Sequence, residues 1–201
     1  AIQMYELSQL SHDYSFGEIR VTHEQNILLP HVENKRIYDL WIKLKKIGLS
    51  TPNIGLISDI ICCPGMDYCA LATARSIPIS QKISHSFNNY DQQKNIGDLK
   101  IKISGCINAC GHHHVGNIGI LGLDKNGEES YQITLGGSAT ENASIGEIVG
   151  PSFPESELMG ALNTILKTYK KYRISEDEDF LKVFNRIGIS EFKKDLYDNP
   201  Q

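Results

Sequence analysis

The chain has 201 residues, of which 40% are hydrophobic and 22% are charged, and its formal net charge is -4 at pH 7. This composition is typical of a folded globular protein and argues against a disordered or fibrous one. Lysines and arginines are scattered, so no basic patch predicts a nucleic-acid or membrane-surface partner, and no apolar run reaches the ~18 residues that a membrane-spanning helix needs.

Residues 1–52 read as a compact α+β unit. Apolar residues recur at helical spacing near the start, and the alternating stretches EIRVT and NILLPHV predict two strands. The stretch NKRIYDLWIKLKKIG predicts a helix that is capped by Asn34, stops at Gly48 and buries Trp41. The order helix, strand, strand, helix indicates one small domain.

Residues 53–201 mix strands with helices. A turn at Pro64 and Gly65 predicts a helix that carries Cys69, whereas the polar stretch 88–95 is assigned no regular element. LKIKIS predicts a strand that ends near Cys106, and IGILGLD and SYQITLGG, with KNGEE between them, predict a hairpin. Three helices follow, the first of them long and burying Leu162.

The start of the chain shows neither a basic segment nor an apolar export segment, which predicts a cytoplasmic protein. The chain also begins with Ala1 and not with methionine, which suggests a processed product or a piece of a longer chain. In a reducing compartment, five cysteines between positions 62 and 110 indicate metal binding or catalysis and not a disulfide framework.

The cysteine spacing narrows the kind of site. Five residues separate Cys63 from Cys69 and three separate Cys106 from Cys110, and a helical spacing of four would place the second pair on one face. Structural zinc sites usually have tighter spacing in both pairs, whereas a cubane iron-sulfur cluster tolerates wider spacing. Iron-sulfur ligation is favoured, while zinc and a purely structural role stay open.

Two motifs make a family resemblance specific. CPGMDYCALA and, further along, SGCINACGHHHVGNIGILG with YQITLGG resemble the cluster-binding half of siroheme-dependent sulfite and nitrite reductases, and GEIRVTHEQNILLP is similar to that family's second ferredoxin-like half-domain. The resemblance runs in order over residues 1 to about 175. It implies an α+β fold in which a ferredoxin-like half-domain, 1–52, precedes an α/β siroheme and 4Fe-4S binding domain with C-terminal helices, 53–201.

The resemblance also implies cofactors and a reaction. A 4Fe-4S cluster would be held by Cys63, Cys69, Cys106 and Cys110, and the last of these would also bridge to the siroheme iron. The implied activity is that of an oxidoreductase, the six-electron reduction of sulfite to sulfide, with a ferredoxin or flavoprotein as electron donor. Nitrite reduction to ammonia, an inactive fragment and a non-catalytic four-cysteine metal-binding module remain as alternatives.

Siroheme contacts are implied at four positions that match the family, namely Gln25, Asn108, Arg20 and Gly136. The arginines and lysines that bind the anion are expected mainly in the family's amino-terminal half, which this chain lacks. Arg20 and Lys102 are the candidates here, unless they are solvated strand residues.

The chain departs from the family at several residues. Ile107 stands where the family often has proline, and Cys62 is an additional thiol that we do not expect to be a ligand. The run His112, His113 and His114 is not required by the family. It predicts a loop that is partly exposed or packs near the cofactor, and weak metal binding by the imidazoles is an alternative.

Overall fold

The structure is a computed structural model that describes residues 1–198. It divides into two compact units, Ala1–Pro52 and a larger unit that begins at Asn53. Helices and strands occur in both units, as the α+β prediction expects. No helix within the described part of the chain is long and apolar enough to cross a bilayer.

The first unit contains a helix on either side of a short hairpin. Its elements are α1 (Ile2–Tyr14), β1 (Arg20–Val21), β2 (Ile27–Leu28) and α2 (Ile37–Lys46), with a 3-10 turn at Asn34–Arg36. The strands pair antiparallel. Leu10, Tyr14 and Leu40 form its small buried core.

Two expectations for α2 are wrong. Asn34 opens the 3-10 turn and makes no side-chain capping bond, so α2 begins only at Ile37. Trp41 retains 40% of its exposure, because it packs beside Tyr38 on the outer side of the helix and not in the core. Gly48 ends the helix with a φ of 73°, a left-handed conformation that glycine adopts without strain.

The second unit is built on a six-stranded sheet. Its strands are β3 (Ile61–Cys62), β4 (Ile101–Ser104), β5 (Ile118–Lys125), β6 (Glu128–Leu135), β7 (Glu147–Ile148) and β8 (Phe153–Pro154). The order is β3-β4-β5-β6-β7, and β8 also pairs with β6. The pairs β3-β4 and β4-β5 are parallel, whereas the other pairs are antiparallel.

The predicted hairpin is confirmed as β5 and β6. The pairing runs from Ile118 opposite Leu135 to Lys125 opposite Glu128. The two connecting residues, Asn126 and Gly127, both have positive φ, at 59° and 88°. Such a pair fits the two-residue turns that match the twist of hairpin strands.

Helices cover the sheet and complete the core. They are α3 (Ile77–Ser86), α4 (Tyr90–Ile96), α5 (Glu155–Tyr172), α6 (Phe180–Ile187) and α7 (Ile189–Lys193), followed by a π-helical turn at Lys194–Asp198. The predicted long helix is confirmed as α5, where Leu162 is buried as expected. Tyr169 of α5 donates its buried hydroxyl to the carbonyls of Ile96 and Glu178, which ties α4 and the start of α6 to this helix.

Strand β4 presents one of its faces to the hydrophobic core. Ile101 and Ile103 point into the core, so the alternation of a strand places Lys102 and Ser104 on the opposite face. Lys102 is only 8% exposed, which contradicts its description as a solvated strand residue. The chain covers this face, since a Cβ added to Gly116 would lie 3.1 Å from Lys102 Cβ.

Candidate metal centre

The two cysteine pairs follow the carboxyl ends of two neighbouring strands, so they begin at the same end of the sheet. Cys63 follows β3 directly, and Cys106 lies two residues beyond β4. Because β3 and β4 are parallel neighbours, with Cys62 opposite Ile103, their carboxyl ends lie side by side. Carboxyl ends of parallel strands are where α/β sheets commonly place their sites. We call residues 63–76 the first cysteine loop and residues 105–116 the second.

Hydrogen bonds join these loops. The Cys63 amide donates to the Ile103 carbonyl at 3.1 Å, and the Gly105 amide donates to Cys63 Sγ at 3.1 Å. In the other direction, the amides of Thr73 and Ala74 donate to the Gly105 carbonyl at 2.9 and 3.0 Å. The first loop is thus fixed against the second at both of its ends.

Two glycines permit this close contact. A Cβ at Gly111 would lie 1.8 Å from the Ile103 carbonyl oxygen and 3.1 Å from the Cys63 nitrogen. At Gly105, a Cβ would lie 2.6 Å from the Ala74 carbonyl oxygen. Neither space can hold a side chain while the loops keep these positions, so the glycines set the distance between the cysteine pairs.

The cysteines differ in exposure. Cys63 and Cys106 are buried, Cys69 is half-buried and Cys110 is exposed. All are free thiols, as is the half-buried Cys62. A site built from them would therefore have two ligands on the protein side and two toward the open side.

The predicted local geometry of both motifs is wrong. Cys69 lies among turn residues and not on a helix, and the chain there is held by the Cys69 amide bonded to the Gly65 carbonyl at 2.9 Å. Cys106 and Cys110 do not share a helical face, because Ala109 between them has a φ of 56° and breaks any helical path. One thiol of this pair is buried and the other exposed as a result.

The four cysteine thiols are free to bind a metal group. Within residues 1–198, no three side chains of His, Cys, Asp or Glu converge closely enough to hold one metal ion. A cubane cluster spreads its irons over the corners of a larger body and takes thiolate ligands. Thiols from two abutting loops are compatible with such a cluster, and zinc remains the alternative.

Both cysteine loops carry exposed apolar residues next to their cysteines in the sequence. Tyr68 and Leu71 of the first loop are 80% and 72% exposed, and Ile107 of the second is 79% exposed. Asn108 is exposed beside Ile107. Exposed apolar residues around a site indicate a surface that a ligand or another protein segment covers.

The histidine run is divided by its burial. His113 is 2% exposed while His112 and His114 are exposed, and the rings of His113 and His114 lie 4.0 Å apart. Burial, with a smaller contribution from His114, lowers the pKa of His113 to about 4. Its Nδ1 has no hydrogen-bond partner among the described residues. One buried and two exposed imidazoles agree with the predicted loop that is partly exposed.

The other residues predicted to contact the siroheme are two exposed residues of the first unit and one tightly packed glycine of the second. Arg20 is exposed and pairs with Glu18 at 2.5 Å, and Gln25 is exposed in the turn between β1 and β2 with a φ of 62°. Both lie in the first unit. Gly136, in the second, has a φ of 85° and an added Cβ would lie 2.1 Å from the Phe184 ring, so packing alone already requires glycine there.

Sequence reasoning missed a charged network that supports the first cysteine loop. Arg75 at the end of this loop donates its amide to Glu129 of β6 at 2.6 Å and makes a short guanidinium contact with the same carboxylate. It also reaches Asp67 at 3.2 Å. Buried Tyr131 donates to Glu129 at 3.0 Å, and burial together with that carboxylate raises the pKa of Tyr131. An arginine shortly after the second cysteine was the available signal.

The chain matches two family models. The model described as the nitrite and sulphite reductase 4Fe-4S domain matches residues 56–200. The model described as the nitrite/sulfite reductase ferredoxin-like half domain matches residues 1–47.

Curated relatives share about a quarter to a third of their aligned residues with the chain. A ferredoxin–nitrite reductase of Synechococcus elongatus is 31% identical over 72% of this chain, and a chloroplastic one of Zea mays is 28% identical over 83%. A sulfite reductase [NADPH] hemoprotein beta-component of Bacillus velezensis is 25% identical over 86%. The chain spans only 28% to 30% of the length of these three relatives.

Solved structures agree on the fold. The Mycobacterium tuberculosis NirA protein superposes with a TM-score of 0.81 at 22% identity, covering 95% of this chain and 36% of that protein. Dissimilatory sulfite reductase I superposes with a TM-score of 0.76 at 10% identity, covering all of this chain and 68% of the other.

Proposed function

Because the chain belongs to the nitrite and sulphite reductase 4Fe-4S domain family, we propose that its two cysteine loops hold a 4Fe-4S cluster for a siroheme-dependent reduction of sulfite or nitrite. The observation that carries this proposal is the joining of the loops, in which the Gly105 amide donates to Cys63 Sγ at 3.1 Å. That contact brings cysteines from two distant motifs to one edge of the sheet.

Each loop contributes one anchoring and one outward ligand in this proposal. Cys63 and Cys106 are buried and would hold the cluster from the protein side, whereas Cys69 is half-buried and Cys110 is exposed. In this proposal Cys62 is not a ligand, because its side chain packs against the hydrophobic core of the second unit.

When bound, the cluster supplies one-electron storage and the siroheme supplies an iron that takes the anion. By the family resemblance, Cys110 would hold both groups, and its thiol is the exposed one of the four. Asn108 stands beside it, also exposed, where its amide can bond a siroheme carboxylate. Arg20 offers charge for the same purpose, and Gln25 lies at the tip of its hairpin.

The reaction is a six-electron reduction in either form. Sulfite takes six electrons and six protons to give sulfide and three waters, and nitrite takes six electrons and eight protons to give ammonium and two waters. The relatives include nitrite reductases and a sulfite reductase, so both anions are tested as substrates below.

The partners in this proposal follow from the relatives. Several are named ferredoxin–nitrite reductases, which supports a ferredoxin as electron donor. The complete activity is proposed for this chain together with a second part that corresponds to the rest of the relatives' length, which we call the counterpart. That counterpart would supply the arginines and lysines that bind the anion.

Anaerobic reconstitution tests the cluster. The chain is incubated with iron and sulfide, and iron, sulfide and zinc are then measured per chain with the visible spectrum. We expect about four irons and a broad visible absorption, and serine in place of Cys63 or Cys106 should abolish this loading. Cys62→Ser is the matched control and should load fully. Colourless protein that takes zinc in preference to iron, or equal loading of all variants, would overturn the proposal.

A second experiment tests the bridge and the substrate. In the chain assembled with siroheme and its counterpart, Cys110→Ser should abolish the magnetic coupling between cluster and siroheme in Mössbauer or electron paramagnetic resonance spectra. Unchanged coupling would refute the role of Cys110. Turnover of the unsubstituted assembly with sulfite and with nitrite, from one chemical reductant, identifies the preferred anion.

A further inference from the structure

Ser76 occupies the N-cap position of α3 but does not cap it. An N-cap serine normally accepts the amide of the second or third helical residue. Here the Ser76 side chain makes no such bond, and Pro78, the second helical residue, has no amide hydrogen to offer. The Ser76 hydroxyl instead lies 3.3 Å from Cys63 Sγ. The side chain is fully buried, so this hydroxyl serves the cysteine and not the helix.

Cys63 Sγ thus has two hydrogen-bonding neighbours. The Gly105 amide donates at 3.1 Å, and the Ser76 hydroxyl lies on the same sulfur at 3.3 Å. A thiolate can only accept, so once Cys63 is deprotonated by a metal the hydroxyl must be the donor. Cys63 is 7% exposed, which keeps water from competing for the sulfur.

We propose that Ser76 is a positioning residue that raises the reduction potential of the cluster by donating a hydrogen bond to the Cys63 thiolate. This inference rests on the proposed function, in which Cys63 is a cluster ligand. Reduction adds negative charge to the cluster and its sulfur ligands, and a donor on that sulfur stabilises the reduced form more than the oxidised form. Electrons therefore enter the cluster more readily with the hydroxyl present.

The neighbouring thiol provides an internal control. Ser80 Oγ lies 3.5 Å from Cys62 Sγ, one helical turn further along α3. Cys62 belongs to the core side of β3 and is not expected to bind iron. A serine hydroxyl therefore lies on a cysteine sulfur twice, but the Cys62 thiol donates to Ser80, whose own hydroxyl donates to the Ile77 carbonyl.

The test is the midpoint potential of the reconstituted full chain. Wild type, Ser76→Ala and Ser80→Ala are loaded anaerobically with iron and sulfide, checked for equal iron and sulfide content, and titrated while the reduced cluster is followed by electron paramagnetic resonance. Ser76→Ala should lower the equilibrium constant for reduction roughly tenfold, about 59 mV for one electron. Ser80→Ala should match wild type. An unchanged potential in loaded Ser76→Ala, or an equal shift in Ser80→Ala, overturns the inference.

A second substitution guards against a folding defect. Ser76→Gly removes the hydroxyl without adding bulk, and glycine is tolerated at N-cap positions, so it should show the same negative shift. If neither Ser76 variant loads while Ser80→Ala does, Ser76 is a structural residue and the tuning role is overturned. If wild type itself takes up no cluster, the proposed function fails, and the inference fails with it.

Discussion

The two units of the chain differ in how much apolar surface they bury on their own. In the first, both residues of each strand are exposed and the core is small. In the second, β4 is buried throughout and its core extends from α3 to α7. The cysteine loops therefore stand on a framework that is stable by its own packing, whereas the predicted siroheme residues Arg20 and Gln25 stand on a hairpin with little support within its unit.

Truncating one large side chain in each unit tests this contrast most strongly. Leu162→Ala should lower the free energy of unfolding by about 2 to 5 kcal/mol, because a fully buried side chain leaves a cavity. Trp41→Ala should cost about 1 kcal/mol or less, since the ring is 40% exposed. Urea denaturation of the metal-free chain measures both, and equal losses would contradict the contrast.

A methyl group between the cysteine loops should have the next largest effect. Gly111→Ala places a carbon against the Ile103 carbonyl, so we expect a loss of about 1 to 3 kcal/mol and a large fall in iron loading. Gly160→Ala is the control, because nothing lies near that helical position and alanine should stabilise α5 by about 0.5 to 1 kcal/mol. Normal iron loading of Gly111→Ala would show that the loops can separate.

The buried histidine predicts a pH dependence within the second unit. His113 titrates near 6.5 when unfolded but has a pKa of about 4 when folded, so the unfolded chain binds the proton more readily between these values. The metal-free protein should lose stability as the pH falls from 6.5 toward 4, by about 1 to 2 kcal/mol from this group once solvent screening is considered.

Unfolding midpoints across this pH range measure the effect. His113→Phe should flatten the slope, whereas His114→Phe, at an exposed neighbour, should keep it. A slope that survives in His113→Phe would assign the dependence to another group.

The smallest effect on stability is expected at the hairpin of the first unit. Gln25→Ala should leave the free energy of unfolding within about 0.5 kcal/mol, since the side chain is exposed in a turn. It should nevertheless lower the siroheme content of the assembled enzyme, read from its visible spectrum. Full siroheme occupancy in this variant would remove Gln25 from the contact residues.

The sequence predicted those elements whose signal is local. The hairpin of β5 and β6 was indicated by its turn residues, and α5 by a long run of apolar residues at helical spacing. Helix α4 was missed because one of its buried residues is Gln93, which accepts a bond from Ser58 and looks polar in a pattern of apolar residues. No pattern could show that partner, 35 residues away.

In the candidate site, too, local features could be predicted from the sequence and tertiary contacts could not. The cysteine spacing identified the kind of ligand set, but it could not give the path of the backbone between the cysteines. Cys69 lies in a turn because the first loop is bonded to the second, through the amides of Thr73 and Ala74. The hydroxyl of Ser76 beside Cys63 likewise depends on tertiary contact, and a serine before a helix reads only as a cap.

The hairpin of β5 and β6 has a consequence for how the site opens. Strand β4 ends at Ser104, opposite Leu121, but the pairing of β5 with β6 continues to Lys125. We call this projecting part of the hairpin the arm. Glu129 on the arm accepts a hydrogen bond from the Arg75 amide of the first cysteine loop. Arm and loop therefore share their hydrogen bonds and should exchange their amide protons as one cooperative unit. Access of solvent to the buried thiol of Cys63, at the start of this loop, would then depend on the fraying of a hairpin whose tip carries no ligand at all.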